Sequence, residues 1–195
     1  MLQNKLKDFQ VILASQSPRR QQLLKDLGLD FDIDVREVEE VFPEGLDRDE
    51  IPQYLSKLKA EPFKDELSER QLVITSDTIV WVDGEVLGKP KDREDAFRMI
   101  SALSGRKHQV VSGVCLTTKE KQHAFSSVTD VYFKELTQEE ITFYIDEYAP
   151  YDKAGAYGIQ EWIGFIGIEK IEGSYFNVMG LPVQQLYTEL MKFVS

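Results

Sequence analysis

Cysteine is nearly absent. Cys115 stands alone in 195 residues, which excludes an internal disulfide and fits a reducing, cytoplasmic setting. It lies in the apolar run Val110 to Leu116, so a buried structural thiol is expected rather than a nucleophile. Long apolar runs are missing too. None reaches the ~18 residues needed to cross a bilayer, and Met1 to Gln10 is polar, without the apolar stretch of a secretory signal. No membrane partner is therefore expected. Histidine is scarce: His108 and His123 are far apart and outside any metal-ligand spacing, so both are expected to be non-catalytic. No Pro-, Gly- or Ser-rich linker, repeat or low-complexity tract divides the chain, and residues 1–195 are expected to form a single domain with a sizeable core. Basic residues are in deficit, 23 Lys and Arg against 34 Asp and Glu, for a net charge of −11. That argues against a nucleic-acid polymer as partner. It leaves room for a small anionic ligand held by a few converging basic side chains.

What is present begins with Val11-Ile12-Leu13-Ala14-Ser15-Gln16-Ser17-Pro18-Arg19-Arg20. A short apolar run predicts a buried strand, then a turn, then a helix with a marked start. Ser17 suits the N-cap, and Pro18 suits the first helical position, where its missing N–H costs nothing. Arg19 and Arg20 then fall in the first turn, where the helix already carries about half a positive charge and each cation loses roughly 0.3–1 kcal/mol. An anion on the free N–H groups resolves the conflict. Two solvated arginines on a surface helix are the other reading.

Further along, Gly28 is a plausible C-cap, and Phe31 to Val35 alternates as a half-exposed strand would. Glu37-Val38-Glu39-Glu40 reads either as a solvated acidic loop or as a carboxylate source for magnesium or manganese. Asp49 to Ala60 predicts a helix with Leu55 and Leu58 on its apolar face. Lys59 lies on or beside that face, either snorkelling to the surface or pointing into a cleft. Leu72 to Thr75 reads as a buried strand, Ser76-Asp77-Thr78 as a break, and Ile79 to Val82 as a second strand. Asp83-Gly84 is a hairpin signal, and Gly88-Lys89-Pro90 closes it. Asp77 is then a carboxylate at a strand end, either a turn former or part of a ligand site. Asp92 caps a helix to Leu103. Gln109 to Thr118 and Phe125 to Phe133 pair around a turn. Thr137-Gln138-Glu139-Glu140 is a capping box opening a helix to Tyr148. Tyr151 to Ile159 is a Gly/Ala-rich loop ahead of Gln160, and Pro182 starts the last helix, with Val183, Leu186, Leu190 and Phe193 inward. The pattern is mixed α/β, with helices covering a long central sheet.

Six blocks, in order, resemble the Maf family of nucleoside triphosphate pyrophosphatases. They are LASQSPRR, SDTIV at 76–80, GEVLGKP at 84–90, LSGRKHQV at 103–110, DKAGAYGIQ at 152–160 and GSYFNVMGLP at 173–182. The resemblance implies an α/β fold: a single two-lobed domain with a long mixed central sheet flanked by helices, Maf/inosine-triphosphatase-like, and a homodimer. It implies hydrolysis of a small-molecule nucleoside triphosphate to the monophosphate and pyrophosphate, with a divalent metal cation (Mg or Mn) as cofactor. Asp77 matches the catalytic proton acceptor, and Glu40 a carboxylate near the metal, with Asp77 as the second metal residue. Arg19 matches a substrate contact, Arg20, Lys59 and Lys89 match phosphate-site cations, and Ser15 belongs to the substrate-binding set. Arg19, Thr78 and Gln160 together match the subgroup preferring dTTP and UTP, and an amide side chain can pair with a pyrimidine's carbonyl and N3–H edge. Where the family usually has Gly after the AYGIQ block, this chain has Glu161, which puts the loop path and the base preference in question. Two other readings remain: a non-catalytic nucleotide-binding regulator of septum formation and cell division, and a phosphohydrolase acting on a terminal phosphate or monophosphate ester.

Overall fold

The structure, a computed structural model, describes residues 1–194. Strand β1 (Gln10–Leu13) carries three consecutive buried residues, Val11, Ile12 and Leu13, as a strand covered on both faces must. Its neighbours on both sides run parallel to it. On one side is β2 (Asp32–Ile33), with Ile12 opposite Asp32; on the other is β3 (Gln71–Val82), with Leu13 opposite Ile74. β2 is shorter than the five residues expected from alternation, and both of its residues are exposed. It is an edge strand, and short edges offer little for another chain to pair with.

β3 corrects the expectation of a break at Ser76-Asp77-Thr78: it is one continuous strand. Thr75, Ser76 and Asp77 are all buried, and β-branched Thr75 and Thr78 suit the pleat. The Thr75 hydroxyl donates to the Ser56 carbonyl at 2.6 Å, which removes the cost of burying it. β1 stops pairing at Ile74 while β3 runs on, so Asp77 lies inside a strand but beyond its parallel neighbour. At the far end Asp83 (φ 48°) and Gly84 (φ 85°) both take positive φ, the two-residue turn that matches strand twist. They lead into β4 (Glu85–Leu87), antiparallel to β3.

Three more strands follow: β5 (Lys107–Thr117), β6 (Gln122–Phe133) and β7 (Ile168–Glu172). The seven-stranded sheet has the order β2-β1-β3-β5-β6-β7, with β4 on β3. Parallel pairing at β1 and antiparallel pairing of β6 with β7 make it a mixed sheet. The long helices are α2 (Pro18–Asp26), α3 (Glu50–Ala60), α4 (Arg93–Leu103), α5 (Gln138–Tyr148) and α8 (Val183–Phe193). Short ones are α1 (Leu2–Leu6), α6 (Trp162–Gly167) and α7 (Tyr175–Val178). Their starts are where local chemistry puts them. Thr137 forms the full capping box with Glu140, and the Asp92 carboxylate accepts from Asp95 N. The polar N-terminus nevertheless folds as α1, because Leu2 and Leu6 are buried and α1 packs on α8.

The chain forms two compact units. The first comprises Met1–Asp77, Ser112–Ser127 and the stretch from Gly180. Its core includes Ile12, Ala14, Phe63, Leu67 and Val73. Gly113 is required there: a Cβ at this position would lie 2.2 Å from both the carbonyl carbon and oxygen of Pro52, so only glycine lets β5 approach α3 this closely. The second comprises Thr78–Val111 and Val128–Met179. Its core is built on Leu87, Ile100, Leu103, Val131, Tyr144 and Ile145. Each such large apolar side chain, fully buried, contributes roughly 1.5–3 kcal/mol.

Candidate active site

The site grows from the turn after β1. Ser15 is buried, and its hydroxyl accepts from Ser17 N at 3.2 Å. Ser17 in turn caps α2, accepting from Arg20 N, with Pro18 at the helix start. The Gln21 amide donates to Ser15 O at 3.1 Å and closes the turn. These short-range bonds present Arg19 and Arg20 on the first turn of α2.

Arg20, expected among the phosphate-site cations, is anchored on backbone carbonyls. Its Nε donates to Gly180 O and its Nη1 to Ser76 O, both at 2.8 Å. The guanidinium therefore ties the start of α2 to β3 and to the turn before α8. Burial lowers its pKa, Asp77 and Glu40 oppose that, and Arg19 adds to it. Arg20 thus feels both carboxylates as well as its neighbour Arg19.

Lys59 settles between its two readings. It comes from the last turn of α3 and points inward, with its Nζ 2.6 Å from Asp77 Oδ1 and 3.1 Å from Glu40 Oε1. The Asp77 and Lys59 side chains are 11% and 16% exposed and Glu40 is 50% exposed, so the triad runs from the interior to solvent. Glu40 thus stays on the exposed side of the triad and reaches Lys59 from there. The Ser76 hydroxyl, next to Asp77 in sequence, is buried and has no hydrogen-bond partner. Ser15, Arg19, Arg20, Glu40, Lys59 and Asp77 all belong to the first unit.

Glu40 and Asp77 meet on one ammonium. Two carboxylates of this kind are what magnesium or manganese takes from a protein when phosphate and water oxygens complete the shell. Among the described residues no group of three or more His, Cys, Asp or Glu side chains converges into an all-protein cage.

The second unit holds the other expected residues, Thr78, Lys89 and Gln160. Thr78 follows Asp77 in β3 and is half-buried, while Lys89 is exposed after β4. Gly155 N donates to Gly88 O at 3.0 Å, which ties the 152–160 loop to the turn carrying Lys89. The Gln160 side-chain oxygen is buried without a partner. Sequence reasoning missed Lys153 and Tyr144, which hold Glu161 in this loop. A lysine in a Gly/Ala-rich loop was the available signal. His108 is buried, with Nε2 2.7 Å from the Tyr157 hydroxyl. Cys115 is fully buried as expected, and burial raises its pKa, so it is a poor nucleophile.

The "Maf-like protein" family model matches residues 10–193. A dTTP/UTP pyrophosphatase of Christiangramia forsetii is 53% identical over 195 residues, covering all of both chains. One of Phocaeicola vulgatus is 54% identical, covering 98% of this chain and all of its own. Among solved structures, the Staphylococcus aureus Ham1 protein superimposes with a TM-score of 0.56 at 17% identity, covering 94% of this chain and 99% of its own. That likeness extends to the fold alone, a mixed α/β sheet with helices. With the family matched over nearly its whole length and relatives above half identity end to end, the chain belongs to the Maf family.

Proposed function

We propose that this protein hydrolyses nucleoside triphosphates, dTTP and UTP before others, to the monophosphate and pyrophosphate. One observation carries the chemistry: a carboxylate inside a strand, Asp77, is held by Lys59 together with Glu40, beside Arg20 of α2. The relatives' names support the substrate, since both bacterial relatives above are dTTP/UTP pyrophosphatases.

In the proposed reaction a water oxygen bonds to the α-phosphorus and the bond from that phosphorus to the bridging oxygen breaks. The electron pair leaves on pyrophosphate, and Asp77 takes the water's proton. Lys59 fixes the orientation of the Asp77 carboxylate. Arg19 carries phosphate charge, and Lys89, on an exposed turn, neutralises charge on the leaving group. Arg20 holds Ser76 and Gly180 in place and adds positive potential. Asp77 and Glu40 would hold a divalent ion, which when bound offsets triphosphate charge and makes water a better nucleophile. Thr78 and Gln160 are assigned to the base. The unpartnered Gln160 oxygen can accept from a ring N–H such as N3–H of uracil or thymine.

The test is hydrolysis of dTTP, UTP, CTP, ATP and GTP with magnesium or manganese, with products separated by ion exchange. Pyrophosphate released chiefly from dTTP and UTP is the expected result. Orthophosphate as first product would replace the reaction with terminal-phosphate hydrolysis. No turnover of any triphosphate with either metal would overturn the enzymatic reading.

A further inference from the structure

Glu161 stands at the N-cap of α6 but makes no side-chain cap bond. Its carboxylate turns elsewhere. Oε1 lies 3.0 Å from Lys153 Nζ, and Oε2 accepts from the Tyr144 hydroxyl. The same hydroxyl accepts from Gly158 N at 3.0 Å, and Glu161 N donates to Gly158 O at 3.0 Å. Lys153, only 9% exposed in its side chain, is also held by Asp152 at 2.6 Å. Tyr144 is fully buried on α5, within the core of its unit. A Cβ on Gly158 would lie 2.9 Å from Glu161 Cδ, so the closure leaves no slack. The contacts form a ring through Gly158, Tyr144 and Glu161, with Lys153 held on the Glu161 carboxylate. Only Ile159 and Gln160 lie between the two loop residues it clamps. Ile159 is buried, and the Gln160 oxygen is buried with nothing to bond.

A buried, unpaired amide oxygen is costly, and is useful only if it is aimed. We propose that Glu161 is a positioning residue for base discrimination: by bridging Lys153 and the Tyr144 hydroxyl it fixes the backbone on both sides of Gln160 and so aims the Gln160 amide. This rests on the assignment of Gln160 to the base. Glutamate in place of glycine after Gln160 then does not loosen the loop; it adds a clamp from the core.

The experiment compares kcat and KM for UTP and CTP in the full chain with magnesium, for wild type, Glu161→Ala, Glu161→Gln and Tyr144→Phe. Glu161→Ala is expected to raise KM for UTP and to shrink the UTP-over-CTP preference by roughly ten- to a hundredfold, since small misplacements at a site cost that much. Its kcat for CTP should stay within about twofold of wild type, because the phosphate machinery is untouched. Glu161→Gln keeps an acceptor for Tyr144 and should restore most of the preference. Tyr144→Phe removes only a hydroxyl, and should shift the preference the same way even if Glu161→Ala does not fold. Ile145→Val, a core change on the same helix, controls for stability alone and should leave the preference unchanged. A folded Glu161→Ala or Tyr144→Phe with the wild-type preference overturns the positioning role while Gln160 keeps its assignment. A wild type that turns over UTP and CTP equally well overturns that assignment, and the positioning role with it.

Discussion

His108 gives the most quantitative expectation. It is buried on β5, its ring edge-on to Phe133 and Tyr157 at centroid distances of 5.0 and 5.4 Å. Nε2 meets the Tyr157 hydroxyl, and Nδ1 is buried without a partner. Burial pushes its pKa down from 6.5 to about 3, against a smaller opposing pull from Asp130. Because the folded value lies below the unfolded one, the unfolded chain binds the extra proton between the two. Stability is therefore fully present above pH 6.5 and drains away as pH falls toward 3. Integrating that difference, the group removes about 2 kcal/mol between pH ~8 and pH ~5. The assay is urea unfolding of wild type and His108→Gln at several pH values across that range. Other titrating groups are common to both proteins and cancel in the difference. The variant is expected to be less stable at neutral pH but to lose about 2 kcal/mol less on acidification. Parallel stability curves would show that the imidazole is not held neutral and would refute the reasoning.

Asp77→Asn should cut hydrolysis by roughly 10²- to 10⁴-fold. It should unfold near the wild-type urea midpoint, because Lys59 keeps Glu40 at 3.1 Å; wild-type turnover would remove Asp77 from the proton-acceptor role. Lys59→Met strands the Asp77 carboxylate in a setting where it is 11% exposed, and should cost about 3–5 kcal/mol in urea unfolding. A larger stability loss in Asp77→Asn than in Lys59→Met would reverse the assigned order. Gly113→Ala forces a Cβ against the Pro52 backbone and should cost about 3 kcal/mol or more, read as the shift in thermal midpoint; an unshifted midpoint would show that β5 and α3 can separate without penalty.

Much of the fold was legible because the signals are local. Ser17 and Pro18 mark the start of α2, Thr137 and Glu140 that of α5, and Asp83-Gly84 the β3–β4 turn. Each rests on backbone geometry within four residues. The expected break at Ser76-Asp77-Thr78 failed because polarity alone suggested it, whereas Lys59 on α3 partners the Asp77 carboxylate and Arg20 on α2 donates to the Ser76 carbonyl. The candidate site was legible as residue types in motifs, not as contacts. Nothing in the order of residues says that Arg20 spends its guanidinium on Ser76 and Gly180, or that Glu161 reaches Tyr144.

The sequence by itself determined the mixed α/β class, the strand-turn-helix that begins with β1, the buried thiol and the family motifs, because propensity, capping and hydrophobic period act over a few residues. Only the tertiary structure decided that Lys59 turns inward, that Glu40 shares its ammonium with Asp77, and that a continuous β3 carries Asp77 past the end of β1. Those outcomes depend on groups 18 and 19 residues apart or more, brought together when burying apolar surface leaves each polar atom to find whatever partner the packing supplies.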